Sequence, residues 1–191
     1  LTSFAPLSNV YSFAERFVRS TVAARATRML TPRSTLTRRL LAALDATPSR
    51  IPVLLGGCGS GRSTVLRQLH DRVGRTASQF IDVERTATTP ERFLRAVTGA
   101  SPFPGATSAG EQVPAGARAA FDAALALFGR PRTATTEPAT FLLDEFLELR
   151  TFESFPGLRR VLHELVETLA NSPNRFVLTS RYTARALRLL R

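Results

Sequence analysis

The residues with the clearest chemical meaning are nine in a row, Gly56-Gly57-Cys58-Gly59-Ser60-Gly61-Arg62-Ser63-Thr64. Glycines at this density let a backbone wrap closely around a ligand and turn its N–H groups inward. The preceding residues 51–55 (IPVLL) read as a short strand buried on both faces, and the following VLRQLHDRV as a helix. A glycine loop between a buried strand and a helix start suits phosphate, because orphan N–H groups and the positive dipole end both favour an anion. Gly56, Gly57, Gly59, Ser60 and Gly61 would give backbone contacts, and Arg62 a positive charge. Ser63 places a hydroxyl where Mg2+ would sit, and Thr64 can reach an α-phosphate oxygen. A bare glycine turn has the same composition; the strand before it and the helix after it separate the two readings.

A second group lies downstream. Phe141-Leu142-Leu143-Asp144-Glu145 reads as a buried strand ending in two adjacent carboxylates. Neighbouring residues at a strand end point different ways, so one can serve a metal and the other a water. Asp144 would hold Mg2+, often through water, and Glu145 would polarise the attacking water as general base. Alone, such a run also fits the charged start of a helix.

The first group is the Walker A pattern G-x-x-x-x-G-K-[ST] with Arg62 at the lysine position, and the second is the Walker B pattern. A fourth apolar run, Phe176-Val177-Leu178-Thr179, leads into Ser180-Arg181. With GGCGSGRST, FLLDE and VLTSR in that order, residues 31–191 resemble the AAA+ ATPases, especially the origin-recognition and transposition-helper type. The resemblance implies a three-layer αβα sandwich of the P-loop NTPase kind. Its mainly parallel sheet would set the fourth strand between the first and the third. It also implies ATP with Mg2+ as ligands, and a polar residue between the two Walker motifs, a part that falls here to Ser180. GTP is disfavoured, since the guanine-reading N-K-x-D motif needs lysine and the chain has none.

The chain departs from that pattern twice. Arg62 keeps the charge but replaces a compact ammonium with a wide planar fork, which is not a conservative change at a phosphate site. The motifs also end at the fourth strand. The fifth strand, the arginine finger and the helical lid have no residues to occupy, so the chain, which begins at Leu1, reads as the front portion of a longer ATPase. Arg185, Arg188 and Arg191 lie near where a finger would arise, and nothing singles one out.

The elements that position these groups alternate between strands and helices. Residues 51–55, 79–83, 139–143 and 175–179 read as strands; residues 62–73, 90–98, 117–128 and 157–170 read as helices, and another begins after Arg181. That alternation argues for a parallel sheet covered on both faces. Residues 1–50 read as an N-terminal helical segment packing on a core at 51–191. It comprises an amphipathic stretch at 10–29 and a helix opening at Thr31-Pro32. The Pro/Gly/Ser-rich stretch 99–116 reads as a surface loop.

Composition bounds the rest. The 191 residues are 43% hydrophobic, too apolar for a disordered chain, and no run approaches the ~20 residues of a membrane span. Cys58 has no partner for a disulfide, and two histidines without a cysteine set do not make a structural zinc site. A reducing, cytoplasmic setting is the default. All 26 basic residues are arginine against 15 acidic ones, a net charge of +11. That favours nucleic acid or an acidic protein partner, although a solvated arginine surface accounts for the same number. Three functions remain open. One is a Mg-ATP hydrolase that remodels or regulates a DNA or protein partner, acting through an assembly such as a homo-oligomer. The second is a nucleotide-binding switch with little turnover because of Arg62, and the third is a nucleic-acid-binding protein whose glycine loop is structural.

Overall fold

The computed structural model describes residues 33–46, 50–103, 114–130 and 138–190. The stretch at 10–29, the helix start at Thr31-Pro32, most of the loop at 99–116 and Arg191 lie outside them. Four strands, β1 (Val53–Leu55), β2 (Ser78–Asp82), β3 (Thr140–Asp144) and β4 (Arg175–Ser180), form one parallel sheet in the order β1-β4-β3-β2. The helices are α1 (Arg33–Leu44), α2 (Arg62–Val73), the single turn α3 (Val83–Thr86), α4 (Pro90–Gly99), α5 (Ala117–Gly129), α6 (Val161–Ala170) and α7 (Thr183–Leu189).

Alternation along the strands assigns the two faces of the sheet. Leu54, Leu142 and Val177 point to one face, where Leu40 and Leu44 of α1 and Val65, Leu66 and Leu69 of α2 cover them. Phe141, Leu143, Phe176 and Leu178 point to the other, under α4, α5 and α6. Both faces are therefore dry, which is why these strands read as continuous apolar runs rather than alternating ones. The second core is built on phenylalanine. Phe141 stacks on Phe176 with centroids 5.6 Å apart, and Phe128 meets Phe141 edge-on at 5.2 Å.

Side-chain caps set the starts of two helices. Thr89 caps α4 by accepting from the Arg92 N–H, with Pro90 in the first turn. Asp82 caps α3 in the same way through Arg85. Three elements depart from the sequence expectation: Val83, expected in the second strand, instead opens the turn α3. The helix expected at 157–170 begins at Val161, after a turn in which Gly157 takes a φ of 80°. Residues Phe146–Ser154, for which no element was expected, wind as 3-10 helix. Their apolar residues explain it: Phe146, Leu149 and Phe152 recur every third position, the 3-10 period, and all three are buried.

Phe141 touches three aromatic neighbours in the centre of the sheet, so Phe141→Ala should remove about 3–5 kcal/mol from the unfolding free energy. Urea denaturation measures this; a loss below ~1 kcal/mol would mean the aromatic layer does not carry the core.

Candidate nucleotide site at the carboxyl edge of the sheet

The parallel register brings the chemistry to one edge. β1 ends at Leu55 and the glycine loop follows; β3 ends at Asp144; β4 ends at Ser180. The loop N–H of Gly56 donates to the Ser180 carbonyl at 3.4 Å, which fastens the loop to the end of β4. Gly61, at φ 83°, turns the chain into α2 in the left-handed region that favours glycine, and Gly59 has φ 72°. No side chain caps the start of α2, so its first-turn N–H groups remain available to a ligand. Gly56 has a different requirement: a Cβ there would lie 2.9 Å from Ser60 Oγ.

Arg62 occupies the middle of the site. Its Nη1 donates to the carbonyls of Gly56 and Gly57 and, at 2.8 Å, to Ser60 Oγ. Its Nη2 donates to Glu145 Oε1 at 2.5 Å, across 83 residues of sequence. The two side chains retain 11% and 9% of their exposure, so this is a largely dehydrated ion pair. Arg62 Nε is buried without a partner among the described residues.

Glu145 is pinned at every polar atom that matters. Oε2 accepts from the Arg181 N–H at 2.9 Å, and its own N–H donates to Thr179 Oγ1 at 3.0 Å. Its φ of 56° and ψ of 47° lie in the left-handed region, at a cost of roughly 1–2 kcal/mol for a residue with a Cβ. Such strain persists where surrounding contacts over-determine it, as these do. Asp144 is buried, and its Oδ1 accepts from the Thr179 hydroxyl at 2.5 Å.

The sequence reading assigned the polar role at the end of β4 to Ser180. The structure places Ser180 elsewhere: its Oγ accepts from the Tyr182 N–H, and the hydroxyl that reaches both carboxylate residues belongs to Thr179. The reason is register. Leu143 pairs with Leu178, so Asp144 and Thr179 lie level on neighbouring strands with side chains on the same face, and Ser180 faces away. The signal was present as the first polar residue after each apolar run. Arg181 was also missed. Its guanidinium bonds Glu84 at 2.8 Å and Glu148 at 2.7 Å, joining the segments that follow β2 and β3 to the end of β4. The Glu84 carboxylate, with Tyr182 beside it, holds its proton affinity above the ordinary arginine value.

No family model and no curated protein matches the chain. Among solved structures, it is similar to the Walker-type ATPase PABY2304 of Pyrococcus abyssi, with a TM-score of 0.54 and 20% sequence identity. The fold is that of a P-loop NTPase sandwich. The similarity covers 82% of this chain and 47% of that one, so the chain spans about half the length of that ATPase. At this identity the fold is what the two share. Among the described residues no helix is long and apolar enough to cross a membrane.

Thr179 gives this geometry a direct test. Thr179→Val removes the hydroxyl and leaves the buried Glu145 N–H without an acceptor, which should cost about 1–3 kcal/mol of stability in denaturant titration. Thr179→Ser should recover most of it. Equal stability of the valine variant and the parent would mean that the contact does not organise the carboxylates.

Proposed function

We propose that this chain is an ATP-binding P-loop ATPase of AAA+ type, near the origin-recognition and transposition-helper branch, that hydrolyses Mg-ATP to remodel or regulate a DNA or protein partner. One observation carries the reading: the glycine loop and the Asp144-Glu145 pair, far apart in sequence, meet through Arg62 at the carboxyl edge of a parallel sheet. In this reading Gly56, Gly57, Gly59, Ser60 and Gly61 wrap the phosphates with their backbone, Arg62 supplies positive charge in place of lysine, and Thr64 reaches the α-phosphate. Ser63 and Asp144 are hard oxygen donors of the kind Mg2+ takes, with phosphate oxygens and water completing the shell. The ion would neutralise charge on the β- and γ-phosphates. Glu145 would orient and deprotonate the attacking water, and Thr179, with Ser180 behind it, would keep the carboxylates in place. The arginine-rich surface supports nucleic acid or an acidic protein as partner, and the reading extends to assembly into a homo-oligomer. The cytoplasm is the setting this activity fits.

The ion pair supports a second reading. Glu145 Oε1 is engaged by Arg62, and a general base needs a free oxygen; this favours a nucleotide-dependent switch of low turnover.

Calorimetric titration of ATP and ADP with and without Mg2+, followed by phosphate release, tests both readings. Asp144→Ala should weaken the Mg2+-dependent part of binding about tenfold, equivalent to ~1.4 kcal/mol. Glu145→Gln should keep ATP bound and cut hydrolysis by about 10²-fold or more. Binding without measurable release in the parent would favour the switch. Folded protein that binds neither nucleotide at millimolar concentration would end both.

A further inference from the structure

The fork of Arg62 is committed at both ends. A guanidinium offers five N–H donors in a fixed plane, and a phosphate is gripped best through two parallel ones. Both Nη1 donors are spent on the loop, at Gly56 O, Gly57 O and Ser60 Oγ, and the Nε–H is sealed from solvent. Nη2 is therefore the end a phosphate can approach, and one of its two N–H groups already holds Glu145 Oε1 at 2.5 Å.

We propose that Glu145 and the nucleotide's phosphates compete for Arg62, so that binding of nucleotide and release of Glu145 Oε1 are a single exchange. The proposal rests on the nucleotide reading above and adds regulation to it. The exchange is physically reasonable because it never leaves the buried guanidinium unpaired: one anion replaces another. The displaced carboxylate is not lost from the site either. Oε2 stays on the Arg181 N–H, and the backbone N–H stays on Thr179, so Glu145 keeps its place while one oxygen becomes free to take a proton from water. The fork also gives arginine at position 62 a purpose. A single ammonium on a flexible stem does not hold the loop carbonyls and a carboxylate in two fixed directions at once. Phosphate binding thus becomes the event that arms the base, and hydrolysis chemistry stays idle until the loop is filled.

The test is equilibrium binding of ADP to the full chain, read by calorimetry, with five variants beside the parent, one of them Arg62→Lys alone. Glu145→Gln removes the competitor and its charge. Glu145→Asp keeps the charge, withdraws the carboxylate from Nη2, and suits the left-handed backbone at that position. Glu148→Gln removes one negative charge from the same edge without touching Arg62. The fourth combines Glu145→Gln with Arg62→Lys, compared against Arg62→Lys alone. Loss of one charge-assisted hydrogen bond predicts that both Glu145 variants bind ADP about fivefold tighter or more, with Glu148→Gln within about twofold of the parent. In the lysine background the Glu145→Gln gain should shrink below about twofold. Glu145→Gln binding no tighter than the parent would overturn the proposal. Equal gains from Glu145→Gln and Glu148→Gln would overturn it in favour of general charge repulsion. If one Glu145 variant fails to fold, the other carries the comparison. No ADP binding by any folded variant would instead refute the nucleotide reading on which the proposal stands.

Discussion

Two parts of the chain separated by 83 residues are held together by one guanidinium, and much of the site's shape follows from how that group is satisfied. A charge with 11% side-chain exposure must be paired and hydrogen-bonded, and Arg62 meets the requirement by drawing two loop carbonyls and one carboxylate around itself. The loop therefore curls back over its own arginine. A Cβ at Gly56 would meet Ser60 Oγ at 2.9 Å, so a side chain there would have to turn the Ser60 hydroxyl away from the guanidinium. Glu145 must turn into the left-handed region to bring its carboxylate within reach, and the Thr179 and Arg181 contacts hold it there.

The sheet makes this meeting possible. Parallel strands release their chains at the same edge, so the loop after β1, the carboxylates after β3 and the polar turn after β4 converge without any long excursion. The order β1-β4-β3-β2 puts β4 beside both of the other functional strands. That is why residues of the Thr179–Arg181 segment can touch the loop through Ser180 and the carboxylates through Thr179. The rigidity beneath the site comes from the phenylalanine layer on one face and the leucine contacts of α1 and α2 on the other.

Much of this was legible in the residues. Apolar runs marked β1, β3 and β4 to within a residue or two, because both faces of the sheet are buried there, and QFIDV marked β2 to within one. The glycine loop declared itself through spacing, and the start of α4 through Pro90. Other features are legible only once the strands are paired. Thr179 rather than Ser180 faces the carboxylates because of a register that periodicity within one strand does not contain. The Arg62–Glu145 pair joins side chains whose neighbourhood depends on the whole topology. The 3-10 segment was not expected because its strict every-third-residue pattern falls short of the 3.6-residue period of an α-helix.

The most direct test of the account is a crystal structure of the chain with Mg2+ and a non-hydrolysable ATP analogue. The account expects the phosphates against the N–H groups of residues 59–64, with Mg2+ between Ser63 and Asp144. Arg62 Nη2 should sit on a phosphate oxygen, with Glu145 still fastened to the Arg181 N–H. Phosphates bound outside the glycine loop would contradict the nucleotide site itself. Phosphates inside it beside an intact Arg62–Glu145 pair would contradict the shared guanidinium.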